Sequence, residues 1–177
     1  MRQTIIQIQK RMMGVLGNSY TSPIVANKGA VGHLLEDILE IPRSSECLDC
    51  SDGEVKVVPL KRLKNGKIVP KETIAITMME KEFTDFEDSR CFKKMSRMLV
   101  IPYLRDGNTI MFYEPTLIEL KDELLKTIKA DYDLIRSSAL QSKIGKYLQT
   151  RTKGPGGNIK TRAFYLRTLF TRDFVKW

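Results

Sequence analysis

The sequence lacks the features of disulfide-stapled, secreted or membrane-spanning proteins. Its three cysteines are an odd number, so no disulfide framework is implied and a reducing compartment is the simpler expectation. No apolar run approaches the roughly 18 residues of a membrane helix, and the N-terminus has no signal-peptide pattern. We therefore expect a cytoplasmic protein with no membrane partner.

Linkers, repeats and low-complexity tracts are also missing from the 177 residues. A chain of this length buries about two thirds of its unfolded surface, and so it needs no structural metal to fold. We expect one domain over residues 1–177.

Metal-binding histidine and cysteine are scarce. Cys47 and Cys50 could begin a zinc site, but a structural zinc site needs four ligands. The only other candidates are Cys91 and the single histidine, His33, neither of which stands in a pair with ligand spacing. We expect no zinc, and we expect His33 to be a packing or surface residue.

Positive charge is abundant, with 30 lysines and arginines against 21 acids and a net charge of +9. The stretch from Lys143 to Trp177 holds nine basic residues and one acid, Asp173, and so carries +8 of that charge. Clustered cations release condensed counterions from a phosphate backbone, which favours a nucleic-acid partner. The alternative is a solvated basic face that only aids solubility.

Apolar periodicity predicts a mixed α/β domain, with a core sheet that contains hairpins and is flanked by helices. Helices are predicted at Ile5–Leu16, at about Asn27–Glu40, and from a capping box of Thr116 and Glu119 to about Ser138. Strands are predicted at Leu48–Cys50, Glu54–Leu63, Thr73–Met79, Arg97–Leu104, Thr109–Tyr113, Tyr147–Thr152 and Thr161–Leu169.

Two carboxylates and a lysine are predicted to meet at the start of one strand. Glu54 and Lys56 are two residues apart, so their side chains share a face of the strand. Asp49 precedes them across a turn at Ser51–Gly53. Hard oxygen ligands hold Mg²⁺, and a nearby ammonium offsets the charge that develops during phosphodiester hydrolysis. An acid-x-Lys pair alone is more often a surface salt bridge.

Five motifs stand in one order along the chain: Lys28-Gly29-x-x-Gly32-x-Leu34-Leu35-Glu36, Glu54-Val-Lys56-Val-Val-Pro59, Lys94-x-x-Arg97-x-Leu99-x-Ile101-Pro102, Tyr147-Leu148-Gln149-x-Arg151-x-Lys153 and Arg162-Ala-Phe164-Tyr165-Leu166. In this order they resemble motifs of the MutH DNA mismatch-repair endonucleases and of the related type II restriction enzymes that cut GATC. The segment Leu60–Lys67 resembles the restriction branch more closely.

The resemblance implies a catalytic centre. Asp49 and Glu54 would be the main metal ligands, and Glu36 would be a third carboxylate that reaches the metal from a helix. Lys56 would be the catalytic lysine, and Lys94 a second positive group near the phosphate. The implied cofactor is Mg²⁺, for which Mn²⁺ can substitute.

The resemblance also implies a restriction-endonuclease-like core in a MutH-like clamp around double-stranded DNA. The catalytic half would span about residues 20–104 and the DNA-recognition half about 105–177. Lys28 and Gly29 would touch the DNA backbone at a helix start. The remaining DNA-binding residues would be a base-reading loop, a neighbouring arginine and a tyrosine near the adenine amino group: Arg151, Thr152, Lys153, Gly154, Arg162 and Tyr165.

The chain departs from the family at the turn before Glu54. Only four residues separate Asp49 from Glu54, fewer than the family usually has, and Asp52 is therefore a rival metal ligand. We prefer Asp49, because Asp52-Gly53 is well explained as the turn itself.

Three functions are compatible with these motifs. The first is a sequence-specific, Mg²⁺-dependent endonuclease of the restriction type, which cuts GATC or a related site and leaves a 5′-phosphate. The second is a mismatch-repair nicking enzyme that needs a partner ATPase. The third is a non-catalytic DNA-binding module.

Overall fold

The computed structural model describes residues 2–22, 29–43, 46–80, 82–138, 144–152 and 162–177. The helices are α1 (Ile5–Met12), α2 (Ala30–Leu39), α3 (Arg90–Met95), α4 (Asp122–Ser137) and α5 (Thr168–Phe174), with a 3₁₀ turn at Phe86–Asp88. The strands are β1 (Ser19–Thr21), β2 (Glu54–Arg62), β3 (Ile68–Pro70), β4 (Ile74–Met78), β5 (Arg97–Asp106), β6 (Thr109–Phe112), β7 (Thr116–Glu119), β8 (Leu148–Thr152) and β9 (Arg162–Leu166). Among these residues no helix has the length and apolarity to cross a bilayer.

The larger sheet is mixed and is built around β5. Its six strands include the order β1-β6-β5-β2-β3, and β7 also pairs with β5. β2 and β5 run parallel from the pair Glu54–Met98 to the pair Leu60–Leu104. β7 and then β6 occupy the opposite edge of β5 in antiparallel pairing. The parallel pairing places the start of β2 beside the start of β5.

A smaller antiparallel sheet has the order β4-β9-β8. It packs with α3, α4 and α5 against one face of the larger sheet, and α1 and α2 pack against the other face. β5 serves both cores because its side chains alternate: Met98 and Val100 join the first core, and Leu99 and Ile101 join the second.

Local sequence explains the elements that were predicted correctly. Thr4 and Gln7 form a capping box at the start of α1, whose residues Ile5, Ile8 and Met12 are fully buried. The hairpin β2–β3 turns at Gly66 and the hairpin β5–β6 at Gly107, both with positive φ.

Other predictions of secondary structure were wrong. Thr116 and Glu119 do not cap a helix; they bound β7, whose Ile118 is buried opposite Met98 of β5. α4 begins only at Asp122. The final predicted strand ends at Leu166, and the following residues form α5, which buries Phe170.

The segment predicted as a strand at Leu48–Cys50 is a bend. The Cys50 N–H donates to the Gly53 carbonyl at 2.9 Å, so the chain turns here without pairing to a sheet. Asp49 therefore reaches Glu54 from a tight turn, not from a neighbouring strand.

Candidate active site

Two lysines converge on one buried carboxylate at the start of β2. Glu54 is the first residue of the strand and is 1% exposed. Its Oε1 lies 2.7 Å from the Lys56 Nζ and 2.6 Å from the Lys94 Nζ. Lys56 shares a face of β2 with Glu54, and Lys94 comes from the last turn of α3. A buried carboxylate needs such partners, because burying an unpaired charge is costly.

Asp49 joins this group through the backbone. Its N–H donates to Glu54 Oε2 at 3.3 Å, and its Oδ2 accepts from the Val55 N–H at 3.0 Å. Burial raises the pKa of Asp49, and the charge of Glu54 raises it further. The hydrogen bond from the Val55 N–H and the charges of Lys56 and Lys94 lower the pKa by less than this. Asp49 and Glu54 thus form an adjacent carboxylate pair in which additional positive charge would stabilise the ionised Asp49.

Asp52 is engaged elsewhere. Its Oδ1 accepts from the Ile5 N–H at 2.7 Å, at the start of α1, and its Oδ2 pairs with the Arg97 guanidinium. Both oxygens therefore join the turn to α1 and β5. This arrangement supports Asp49 over Asp52 as the metal ligand.

Gly53 allows this turn to lie close to its neighbours. A Cβ at this position would lie 2.7 Å from the Arg97 carbonyl oxygen and 2.7 Å from the Ile5 side chain. The residue directly before Glu54 therefore has no room for a side chain. A glycine at this position therefore fits the short turn between Asp49 and Glu54.

Glu36 stands on the wall of an adjoining cleft. Its Oε2 is buried without a hydrogen bond, although Arg43 Nε lies 3.4 Å away. Among the residues that the structure describes, no group of three or more His, Cys, Asp or Glu side chains is placed to hold a metal. The resemblance implied one cluster of Glu36, Asp49 and Glu54, but the structure does not bring Glu36 into a cluster with the other two.

Two carboxylates nevertheless fit a magnesium ion. Mg²⁺ keeps several of its waters and is commonly bound by one or two carboxylates together with substrate phosphates. Asp49 and Glu54 supply such a pair, with Asp49 in the cleft lining and Glu54 buried behind it, and the Glu36 Oε2, which accepts no hydrogen bond, is a further hard oxygen in the cleft lining. The donor set present here therefore fits the ion that the sequence implied.

The cleft has a volume of about 990 Å³ and is lined by residues of β2 and α2 and by residues of the smaller sheet. One wall carries the predicted catalytic and backbone-binding residues Gly29, Glu36, Asp49 and Lys56. The other wall carries the residues predicted to contact bases, which are Arg151, Thr152 and Tyr165. His33 also lines it and is exposed.

Some predicted site residues are not on this cleft. Glu54 and Lys94 lie behind Lys56 and are not part of the lining. Arg162 is also absent from the lining, and its Nη1 donates to the Thr150 hydroxyl at 3.0 Å. Lys28, Lys153 and Gly154 fall outside the described residues.

Sequence reasoning assigned no role to Gln149, which the structure places in the cleft lining. Gln149 is 5% exposed and lines the cleft two residues before Arg151, on the same face of β8. With its amide oxygen turned toward Arg151, it accepts from Nε at 2.9 Å and from Nη2 at 3.1 Å. The alternation of Gln149 and Arg151 within one motif was the available signal.

A buried carboxylate holds the start of β8. Asp131 of α4 is 6% exposed and accepts from the N–H groups of Lys146 and Tyr147 at 2.7 Å and of Leu148 at 2.9 Å. Arg167 donates to the carbonyls of Gly145 and Lys146 at 2.8 and 3.0 Å. The segment that enters β8 is therefore fixed on both sides.

Comparison with known proteins agrees with this geometry. The family model described as "DNA mismatch repair enzyme MutH" matches residues 43–131, half of the chain, and these include Asp49, Glu54, Lys56 and Lys94. No curated protein matches the chain. Among solved structures, the restriction endonuclease MvaI in complex with its cognate DNA substrate is similar in fold. It has 11% sequence identity and a TM-score of 0.52, with 98% of this chain and 97% of that chain covered. The expected mixed α/β, restriction-endonuclease-like fold is confirmed.

Proposed function

Since the chain belongs to the MutH family and is a DNA endonuclease, we propose that it hydrolyses phosphodiesters of double-stranded DNA at a specific sequence, GATC or a related site, with Mg²⁺. The observation that carries this proposal is the Asp49, Glu54 and Lys56 group beside a cleft whose opposite wall presents Arg151. The products would carry 5′-phosphates.

The carboxylates would hold the metal ion. Asp49 and Glu54 would bind Mg²⁺ or Mn²⁺, with Glu36 as a further oxygen from the cleft wall. When bound, the ion would supply the positive charge that polarises the scissile phosphoryl group. Ion binding would also favour the ionised form of Asp49, whose pKa is raised by burial and by Glu54.

The two lysines would have different tasks. Lys56 lines the cleft, so its ammonium can orient the attacking water and offset charge on the phosphate. Lys94 contacts Glu54 without lining the cleft, and so it would act as a positioning residue for that carboxylate. On the opposite wall, Arg151 and Thr152 would contact base edges, and Tyr165 would lie near the adenine amino group.

A Lys56→Ala protein tests this assignment. We expect cleavage of supercoiled plasmid in Mg²⁺ to fall by about 10²- to 10³-fold, as for the loss of a group that stabilises transition-state charge. Duplex binding in EDTA should persist. Lys126→Ala is the matched control, because Lys126 is exposed on α4 and pairs only with Glu123 in the described residues. Wild-type cleavage rates in the Lys56→Ala protein would contradict the proposal.

The description of the matching family favours a second candidate, a mismatch-repair nicking enzyme with a partner ATPase. Such an enzyme would cut one strand and would be weak alone. Digestion of unmethylated and adenine-methylated plasmid by the pure protein separates the two. Linear product from unmethylated plasmid supports the restriction type, whereas slow nicking alone supports the repair type.

A further inference from the structure

The hairpin β2–β3 concentrates positive charge beyond the cleft. Between Leu60 and Lys71 the chain has five cations and no acid: Lys61, Arg62, Lys64, Lys67 and Lys71. The next residue, Glu72, is the nearest acid in sequence and lines the cleft with Lys71. We call residues 59–71 the basic hairpin.

One face of β2 that lines the cleft continues along the basic hairpin. Val55, Val57 and Pro59 alternate along β2, share this face and all line the cleft. Lys61 is the next residue on this face, and Leu63 follows it. Lys56 lines the cleft from the opposite face, but that face is buried at Val58 and Leu60 before it reaches Arg62.

Antiparallel pairing adds two further lysines to this face. The Lys71 N–H donates to the Pro59 carbonyl, and the Leu63 N–H donates to the Lys67 carbonyl, both at 2.8 Å. Residues directly opposite one another in an antiparallel pair project to the same side. Lys71, Lys61 and Lys67 therefore form a row that starts in the cleft and leads away from it, whereas Arg62 projects from the opposite face.

The lysines of this row are exposed and pair with no acid of the described part of the chain. In residues 46–80 and the other described ranges, no carboxylate forms an ion pair with Lys61, Lys67 or Lys71. This contrasts with Lys56 and Lys94, which are paired to Glu54. Three exposed like charges repel one another and remain available to an external anion.

The basic hairpin is also held in place. The indole N–H of Trp177 donates to the Ile68 carbonyl at 3.2 Å on the edge of β3 that faces away from β2. The Lys67 N–H donates to the Asn65 side chain at 3.1 Å within the turn. A backbone that is already held in place loses little conformational freedom when its lysines bind a regularly spaced polyanion.

We propose that the basic hairpin is a phosphate-binding arm that extends the cleft onto duplex DNA flanking the cleaved site. This inference rests on the proposed function, because it takes DNA as the occupant of the cleft. Four residues of strand separate Pro59 from Leu63, which spans about 13 Å. That length corresponds to about four base pairs at about 3.4 Å each. The contacts would be sequence-independent, because lysines bind phosphates as point charges.

The test compares Lys61→Gln, the double variant Lys61→Gln/Lys67→Gln and Arg62→Gln. Lys61 and Arg62 are adjacent, exposed and of equal charge, but they project to opposite faces, so Arg62→Gln is the matched control. Binding of a duplex with long flanks is measured by fluorescence anisotropy in EDTA at several salt concentrations. Thermal denaturation verifies that each variant is folded.

Each lost phosphate contact lowers the slope of log affinity against log salt concentration by about 0.9. We expect a decrease of about 0.9 for Lys61→Gln, about 1.8 for the double variant and none for Arg62→Gln. Trimming four flanking base pairs on the arm side should weaken the wild type and leave the double variant unchanged.

The phosphate-binding arm would be overturned if the slope of log affinity against log salt concentration were the same for wild type and Lys61→Gln. It would also be overturned if Arg62→Gln lowered this slope as much as Lys61→Gln does. Plasmid cleavage in Mg²⁺ by the same proteins separates this result from failure of the proposed function. If the wild type cleaves plasmid but the variants leave the salt slopes unchanged, only the proposal of the arm fails. If the slopes change as expected but the wild type cleaves no plasmid, only the nuclease proposal fails. A wild type that binds no duplex overturns both.

Discussion

Gly53 sits where a single added methyl group would meet both α1 and β5. A Cβ would lie 2.7 Å from the Arg97 carbonyl and from Ile5, so Gly53→Ala forces one of these elements to shift. We expect the free energy of unfolding in urea to fall by about 1–3 kcal/mol, the usual cost of overpacking. Cleavage should fall as well, because Glu54 follows directly.

Gly32→Ala is the control variant, for which we expect the free energy of unfolding to rise. The nearest atom to a Cβ at Gly32 is a Val57 methyl at 4.0 Å, an ordinary contact, and the residue lies inside α2. Replacing a helical glycine by alanine stabilises by about 0.5–1 kcal/mol. If Gly53→Ala were as stable as Gly32→Ala, close packing of the turn would not explain the glycine.

Gln149 orients Arg151, to which the proposed function gives the reading of base edges. Gln149→Leu removes the acceptor of the Arg151 Nε–H and Nη2–H groups, so the guanidinium loses its fixed orientation. One bidentate arginine–guanine contact discriminates by about 1–3 kcal/mol. We expect Gln149→Leu to reduce the ratio of cleavage at the cognate site to cleavage at a site changed by one base, by about tenfold.

Two further measurements on Gln149 separate positioning from general damage. Gln149→Glu keeps the acceptor and should restore most of the discrimination. Affinity for unrelated duplex should be the same in all three proteins, since phosphate contacts carry no sequence information. Equal loss of binding to cognate and unrelated duplex would show that Gln149→Leu only disturbs the fold.

At the scale of single residues, the sequence predicted a site where spacing fixed the geometry. Glu54 and Lys56 share a strand face because they are two apart, and this was foreseeable. The contact of Lys94 with Glu54 spans 40 residues and was accessible only through the resemblance. The contacts that Asp52 makes with the Ile5 N–H and the Arg97 guanidinium were not foreseeable, because both partners are distant in sequence.

Among the elements, α4 and β8 are coupled by a shared set of hydrogen bonds. Asp131→Ala leaves three backbone N–H groups without their carboxylate, and we expect a loss of about 3 kcal/mol or more in the free energy of unfolding. Gly145→Ala should also destabilise, because a Cβ there would overlap the Asp131 side chain and displace it.

A double-mutant cycle in urea measures the coupling of Asp131 and Gly145. Both substitutions break the same hydrogen bonds, so the double variant should lose at least about 1 kcal/mol less than the sum of the single variants. Additive losses would mean that Gly145→Ala acts through another contact.

The elements that were predicted wrongly are those that the tertiary structure determined. A Thr-x-x-Glu sequence is compatible with a helix cap, but here Leu117 and Ile118 pair along the free edge of β5. Thr168–Phe174 is a helix because Phe170 reaches the core and packs against Tyr147. Neither partner is local, so a propensity argument could not supply them.

For the whole molecule, the alternation along β5 ties the two cores together. Leu99 and Val100 are both fully buried, on opposite faces. We expect Leu99→Ala to lower the free energy of unfolding by about 2–5 kcal/mol and Val100→Ala to lower it in the same transition. Far-UV and near-UV circular dichroism should give one midpoint for each variant. Two separate transitions would contradict a single domain.

The hydrogen bond between Trp177 and Ile68 also places an intrinsic fluorophore at the basic hairpin. Trp177 is the only tryptophan, it is 37% exposed, and its indole N–H ends on the edge strand of the basic hairpin. Indole emission depends on the polarity and hydrogen bonding around the ring, so the chain carries one unlabelled chromophore at the hairpin. Its emission therefore reports on binding at the edge of the basic hairpin.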